Sequence, residues 1–198
     1  MTDPRPYPRP SKADLAAAAD RTLADVIGPD LRVLFCGINP GLYSAATGWH
    51  FGRPGNRFWP ALHRSGFTPT QLHPSAQASL VGLGLGITNI VPRASARADE
   101  LSVAELVAGA AGLADKAALF RPRWVAVLGV TAYRTAFARR RAVLGPQEET
   151  LGPTRLWILP NPSGLNAHFD LDKLTTEFTR LRRATSDTPA DRPEGGRP

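Results

Sequence analysis

The sequence predicts an α/β fold: a three-layer α/β/α sandwich around a central, mostly parallel sheet of four or five strands. Three observations predict it. Short continuous apolar runs at 33–36, 124–128 and 156–159 suit strands buried on both faces, the first within a strand read over 31–36, and a further strand is read at 86–91. Segments of helical periodicity separate them, so strand and helix alternate along the chain. The 198 residues hold no repeat and no linker long enough to split them, which argues for one domain with a full core.

Residues 1–10 are proline-rich and basic and are expected to form a flexible tail ahead of a single domain over 11–184. Ser11 and Asp14 stand at capping-box spacing, and Leu15, Ala19, Leu23 and Val26 recur at helical spacing up to Gly28-Pro29. The first strand follows, then a long turn to about Gly55. Asn56 caps a helix through about His63 that buries Phe58, Trp59 and Leu62. A further helix is expected from Pro74, through Leu80 and Val81, to the glycines at 82, 84 and 86. That glycine run precedes a strand instead of following one, so it does not serve as a dinucleotide fingerprint. The longest helix spans 102–120 and is broken by Arg121-Pro122. After the third strand, a short helix carries Tyr133 and Phe137 into Arg139-Arg140-Arg141, and the fourth strand ends at Pro160. A last amphipathic helix from about Asp170 carries Leu174, Phe178 and Leu181, and residues 185–198 are expected to be a flexible tail.

Composition bounds the function. Hydrophobic content of 42% and charged content of 21% are those of an ordinary globular chain. No apolar run approaches the ~20 residues of a membrane span, and the N-terminus is not a secretory signal. The single cysteine, Cys36, excludes an internal disulfide and fits a reducing cytoplasm; inside an apolar strand it reads as a small buried hydrophobe. Net charge is +7, and arginine supplies 21 of the 24 basic residues. Such a balance favours an anionic partner such as nucleic acid, although biased codon usage produces the same composition, so charge alone does not decide. The four histidines lack ligand spacing, and neither a Walker loop nor a nucleophile elbow is present.

Two turns remain, each after a buried strand, where open α/β sheets place ligands. The first is Gly37-Ile38-Asn39-Pro40-Gly41-Leu42, in which Gly37 and Gly41 let backbone approach a ligand and Pro40 stiffens the segment beside Asn39. The second is Asn161-Pro162-Ser163-Gly164-Leu165. Between them lie Thr47-Gly48-Trp49-His50-Phe51, Pro54-Gly55-Asn56-Arg57-Phe58-Trp59 and Gly86-Ile87-Thr88-Asn89. In this order, from about Leu31 to Arg182, the motifs resemble those of the mismatch-specific uracil-DNA glycosylases and the related thymine-DNA glycosylases.

The resemblance implies a monofunctional DNA glycosylase of base excision repair that hydrolyses the N-glycosidic bond of uracil mispaired with guanine, with thymine and other modified pyrimidines as further candidates. A base inside a duplex is unreachable, so it must be flipped at a cost of a few kcal/mol. By resemblance Phe51 is the aromatic platform and Asn39 positions the attacking water, an orienting role because a neutral amide is no strong base. Backbone N–H groups near Ile38 and Phe51 would bond the uracil carbonyls. Asn89 would bond the base and Ser95 help hold water; some relatives carry lysine in place of Asn89. Asp99 would be an additional base if it folds inward. Ser44 and His50 would flank the C5 edge of the pyrimidine. Leu165 would wedge into the gap left by the flipped nucleotide, with Gly164 letting backbone reach the opposite guanine. Relatives often have arginine soon after that leucine, whereas this chain reads Asn166-Ala167-His168.

No cofactor and no metal are expected, and neither turn contains a lysine for a Schiff base. The expected partner is double-stranded DNA with G:U or G:T mismatches, with single-stranded DNA a further candidate. A cytoplasmic monomer, nucleoid-associated during repair, completes the expectation. The rival readings are a non-catalytic damage-recognising DNA-binding protein and an unrelated small α/β hydrolase.

Overall fold

The structure, a computed structural model, describes residues 9–186. Its helices are α1 (Lys12–Ala17), α2 (Leu42–Thr47), α3 (Phe58–Arg64), α4 (Val103–Phe120), α5 (Val130–Ala136) and α6 (Leu171–Ser186). Its strands are β1 (Val33–Gly37), β2 (Leu85–Asn89), β3 (Trp124–Leu128), β4 (Gly145–Leu151) and β5 (Thr154–Leu159). They form one sheet in the order β2-β1-β3-β5-β4, in which only β4 runs antiparallel.

Period-two alternation divides each buried strand between two cores. Val33 and Phe35 face α3 and α6, packing with Phe58, Leu62, Leu174 and Phe178. Leu34 and Cys36 face α4 and α5, packing with Leu113 and Tyr133. The three-layer α/β/α architecture is therefore as predicted, with five strands. The strand order places a switch point at β1 and β3: from β1 the chain goes to β2 on one side, then returns to β3 on the other. At such a point the connections diverge and leave a crevice beyond the carboxyl ends of the strands.

Four local expectations need correction. The helix read through Val26 stops at Ala17, and Asp20 adopts a left-handed φ of 59°. Residues 22–26 instead run along the edge of the sheet, where Val26 N–H donates to Ile87 O (2.9 Å) and Val26 O accepts from Ile87 N–H (2.7 Å). The edge strand β2 needs that cover more than the chain needs another helical turn. Residues 74–83 wind as 3₁₀ turns and not as an α-helix, in a stretch opened by proline and closed by Gly84 at φ 70°. Within the presumed long turn, 42–47 forms the short helix α2. Finally, β4 had no counterpart in the reading, because its half-exposed Gly-Pro-Gln-Glu-Glu-Thr-Leu sequence has no apolar run. It forms as an edge strand across the Gly152 turn, and edges tolerate its proline.

Smaller shifts are informative. The second strand ends at Asn89 and not at Val91, making Asn89 the last strand residue. Helix α6 continues through a buried Thr185 to Ser186, past the domain boundary expected at 184. The tails expected at 1–10 and 185–198 lie largely outside the described residues. Among the described residues no helix is long and apolar enough to cross a membrane.

Candidate active site

Because β1, β2, β3 and β5 are parallel and in register, they end together at Gly37, Asn89, Leu128 and Leu159. The segments that follow converge on a cleft of about 400 Å³. Every residue of the two sequence-predicted turns lines it except Gly164 and Leu42, and so do Ser44, His50, Phe51, Asn89, Ser95 and Asp99.

At the floor, Gly37 is glycine for a steric reason. A Cβ there would stand 2.4 Å from Asn89 Oδ1 and 3.3 Å from Phe51 Cζ. No such crowding surrounds Gly41, where a Cβ would meet nothing within 4 Å. Its bareness therefore serves no packing need.

Asn39 is partly buried beside this floor. Its Nδ2 donates to Ser95 Oγ (2.8 Å) and lies within hydrogen-bond distance of Pro40 O (3.2 Å) and Arg93 O (3.3 Å). Carbonyls can only accept, so these neighbours fix which end of the amide is nitrogen. Ser95 Oγ in turn donates to Arg97 O (2.6 Å), which leaves its lone pairs for Asn39. Oδ1 of Asn39 receives no hydrogen bond among the described residues and remains an acceptor for a ligand. Ser95 is thus placed to orient Asn39, the residue expected to position the water that Ser95 itself is expected to help hold.

Phe51 forms one wall. Its ring stacks on Phe58 at 4.2 Å between centroids, and Phe58 is buried against Phe35 and Phe178. One face of Phe51 is thereby anchored to the core while the ring lines the cleft. Its backbone is left-handed, φ 53°, an uncommon conformation for an aromatic residue that surrounding contacts must hold. Several do. Gly52 N–H donates to Ser44 Oγ (3.3 Å), His50 N–H to Gln77 Oε1 (2.8 Å), and Trp59 Nε1–H to His50 O (3.0 Å). The N–H groups of Ile38 and Phe51 donate to no backbone carbonyl outside the helices and strands among the described residues.

His50 is buried, and burial holds its pKa below the ordinary histidine value. Its Nε2 lies 2.9 Å from Ala24 O and must carry the proton, so in the neutral ring Nδ1 is the acceptor. Nδ1 faces Asn89 Nδ2 at 3.4 Å, which turns Asn89 Oδ1 towards Gly37 and the ring of Phe51.

Asp99 stands apart from this cluster. It is exposed at the rim and ion-paired with Arg97. A solvated carboxylate held by a guanidinium suits a surface pair better than a base folded into the cleft. Arg53 and Arg97 line the same rim, leaving Asp99 as the one carboxylate among the lining residues.

The second turn is built as a rigid projection. Asn161 Oδ1 accepts from Ser163 N–H (2.9 Å), Asn166 Nδ2 donates to Asn161 O (3.0 Å), and Pro162 O accepts from Arg57 N–H (2.9 Å). A Cβ on Gly164 would lie 2.7 Å from Gly55 O, so the turn packs backbone to backbone on the 53–57 segment. Arg57 clamps it from beneath: Nη1 donates to Phe169 O (2.6 Å), and Nη2 to Asn166 O (2.9 Å) and to Ser163 O. Leu165 sits at the tip with 77% of its surface exposed, a large apolar side chain with no packing role in the free protein.

Sequence reasoning named Arg57 only as part of a motif and missed Gln77 and Arg93 altogether. Arg93 pairs with Glu105 and Asp20, donates to Glu100 O, and offers its own carbonyl to Asn39. The signal for these residues is long-range pairing, which one sequence does not display. Among the described residues no group of three or more His, Cys, Asp or Glu side chains is placed to hold a metal ion. Cys36 is buried within β1 on the face that packs against α4 and α5, where burial pushes its thiol pKa up.

A crevice at the strand-order switch, lined by a fixed side-chain amide and an anchored aromatic ring, defines an open-sheet α/β protein with a ligand-sized cleft beyond its strand ends. The chain belongs to the uracil DNA glycosylase superfamily, whose family model matches residues 24–184. Members of that superfamily are DNA glycosylases, hydrolases of N-glycosyl bonds. The fold is also that of a solution NMR structure from Methanosarcina acetivorans, described as a candidate uracil DNA glycosylase. That protein is 17% identical, with a TM-score of 0.56 over 83% of this chain and 97% of its own.

Proposed function

We propose that the chain is a monofunctional glycosylase that removes uracil, and thymine or other modified pyrimidines, from mispairs with guanine in double-stranded DNA. The observation that carries the reading is the locked amide of Asn39, whose free Oδ1 shares a cleft with the anchored ring of Phe51.

In this reading a flipped pyrimidine stacks on Phe51, and Asn39 Oδ1 accepts a hydrogen bond from the water that attacks the anomeric carbon. The C–N bond lengthens first, the sugar gains oxocarbenium character, and the base departs as an anion. The N–H groups of Ile38 and Phe51 stabilise charge on its carbonyl oxygen, an effect typically worth a few kcal/mol per well-placed donor. Asn89 Oδ1, held by neutral His50, accepts from a ring N–H of the base, which uracil and thymine offer at N3 and cytosine does not. Ser44 and His50 border the C5 edge. Asp99 contributes charge at the rim and no proton transfer. Leu165 fills the gap in the stack, and its rigid turn brings backbone to the orphaned guanine.

The test is incubation with a uracil:guanine duplex in the presence of a chelator, scored for free uracil and alkali-labile abasic sites. Release of uracil supports the reading. Tight binding without release identifies a passive damage reader, and hydrolysis of an unrelated ester or amide without uracil release identifies a different α/β hydrolase.

A further inference from the structure

We infer that Trp59 and Gln77 are positioning residues, which together latch the His50–Phe51 peptide so that the Phe51 N–H is turned away from the core and left for a ligand. This rests on the glycosylase reading and deepens it, because it names what aims one of the N–H groups assigned to the departing base.

The segment that carries Phe51 is a four-residue turn. Gly52 N–H donates to Trp49 O (3.2 Å), and Phe51, third in the turn, is left-handed at φ 53° whereas His50 is not. Those signs belong to a type II turn, whose third position favours glycine. A type I turn closes over the same four residues with its central peptide rotated by about half a revolution, and it asks for negative φ at both central positions. Left to its own backbone preference, a phenylalanine takes the second form. The first form has to be held.

Two side chains hold it. The central peptide, between His50 and Phe51, is trans, so its C=O and N–H point in opposite directions. Trp59 Nε1–H donates to His50 O (3.0 Å) from a buried position on α3. The Phe51 N–H therefore points away from that indole, and it has no acceptor among the described residues. Gln77 secures the peptide before it: Oε1 accepts from His50 N–H (2.8 Å), and Nε2 donates to Gly48 O (2.8 Å). With both ends of its amide engaged, Gln77 has one orientation that fits. Rotating the central peptide would leave a buried indole N–H unpaired, which is costly. It would also set the His50 carbonyl where the Phe51 N–H now stands. A carbonyl there would repel the base oxygen on which charge develops, where an N–H stabilises it.

The test is single-turnover release of uracil and of 5-fluorouracil from duplexes with guanine opposite, by the full chain as wild type, W59F and Q77M. Fluorine withdraws electrons, so the 5-fluorouracil anion needs less help from a donor than the uracil anion. Misaiming the N–H should slow uracil release by about tenfold or more in W59F, and 5-fluorouracil release by about threefold or less. Q77M should show the same inequality with a smaller loss. Duplex affinity should stay within about twofold of wild type in both, because the bond strengthens as charge develops and adds little to holding the duplex. Thermal midpoints establish that each variant is folded. Wild-type uracil release in a folded W59F, or equal fold-losses on the two bases, overturns the inference. If W59F does not fold, Q77M, altered at a partly exposed side chain, decides by the same ratio. Absence of uracil release by wild type counts against the glycosylase reading, whereas intact release with an unmoved ratio counts against the latch alone.

Discussion

Asn39 is oriented by acceptors. Two carbonyls and the lone pairs of Ser95 surround its Nδ2, and this arrangement accepts an N–H group and repels an oxygen. Asn39→Asp would introduce a stronger base but would set a carboxylate oxygen against Pro40 O and Arg93 O. Its turnover on uracil:guanine duplex is expected to fall below wild type; a faster enzyme in the same assay would show that the amide is not held as described. Gly37→Ala forces a methyl to within 2.4 Å of Asn89 Oδ1 and against Phe51. Overpacking of this kind costs about 1–3 kcal/mol, and here the displaced groups are those that would hold the base. The variant should therefore show a raised KM for duplex, measurable by steady-state uracil release. The strand end, the glycine and the asparagine were all legible in the sequence, because apolar runs and turn residues are local signals. The orientation of the amide was not, since it depends on Arg93 and Ser95, more than fifty positions away.

At the scale of elements, two loops carry the proposed chemistry, and each is fixed by one arginine. Arg57 donates to three carbonyls of the wedge segment with no carboxylate among these partners. Removing it leaves those carbonyls unpaired, and hydrogen bonds from a charged donor are worth about 1.5–3 kcal/mol each, so Arg57→Ala should destabilise the fold by about 3 kcal/mol or more in denaturant titrations. Leu165→Ala should leave stability within about 0.5 kcal/mol, because the side chain is exposed, yet reduce activity on duplex more than on single strands. Equal losses on both substrates would remove the wedge. Arg93 ties the 93–101 loop to Glu105 at the start of α4, where Ser102 also caps the helix. Hydrogen bonds from Arg93 and Ser102 hold the Glu105 carboxyl at about 2, below its ordinary 4.5. A depressed carboxylate pKa means the stabilisation is present above pH 4.5 and is lost as pH falls towards 2. Thermal midpoints of wild type and Glu105→Gln should therefore differ at neutral pH and converge as pH approaches 2. Helix α4 was legible from its capping box and periodicity, whereas the strap at 22–26 was misread as helix because Leu23 and Val26 happen to keep helical spacing.

On the scale of the whole molecule, strand-helix alternation was enough to predict three layers, since buried parallel strands advertise themselves as apolar runs. The edges of the sheet were not predictable in the same way. β4 is polar on one face and short of apolar residues, and the cover of β2 comes from backbone pairing that no side-chain pattern announces. The parallel strands bring to one place residues as distant as Asn39 and Leu165, and all of the proposed roles depend on that convergence. The most direct test is single-turnover uracil release from a uracil:guanine duplex, with chelator present, by wild type and Asn39→Ala. The account predicts metal-independent release by wild type, and a loss of about a hundredfold or more in the variant with DNA binding retained. Undiminished release by Asn39→Ala, or no release by wild type, would contradict it.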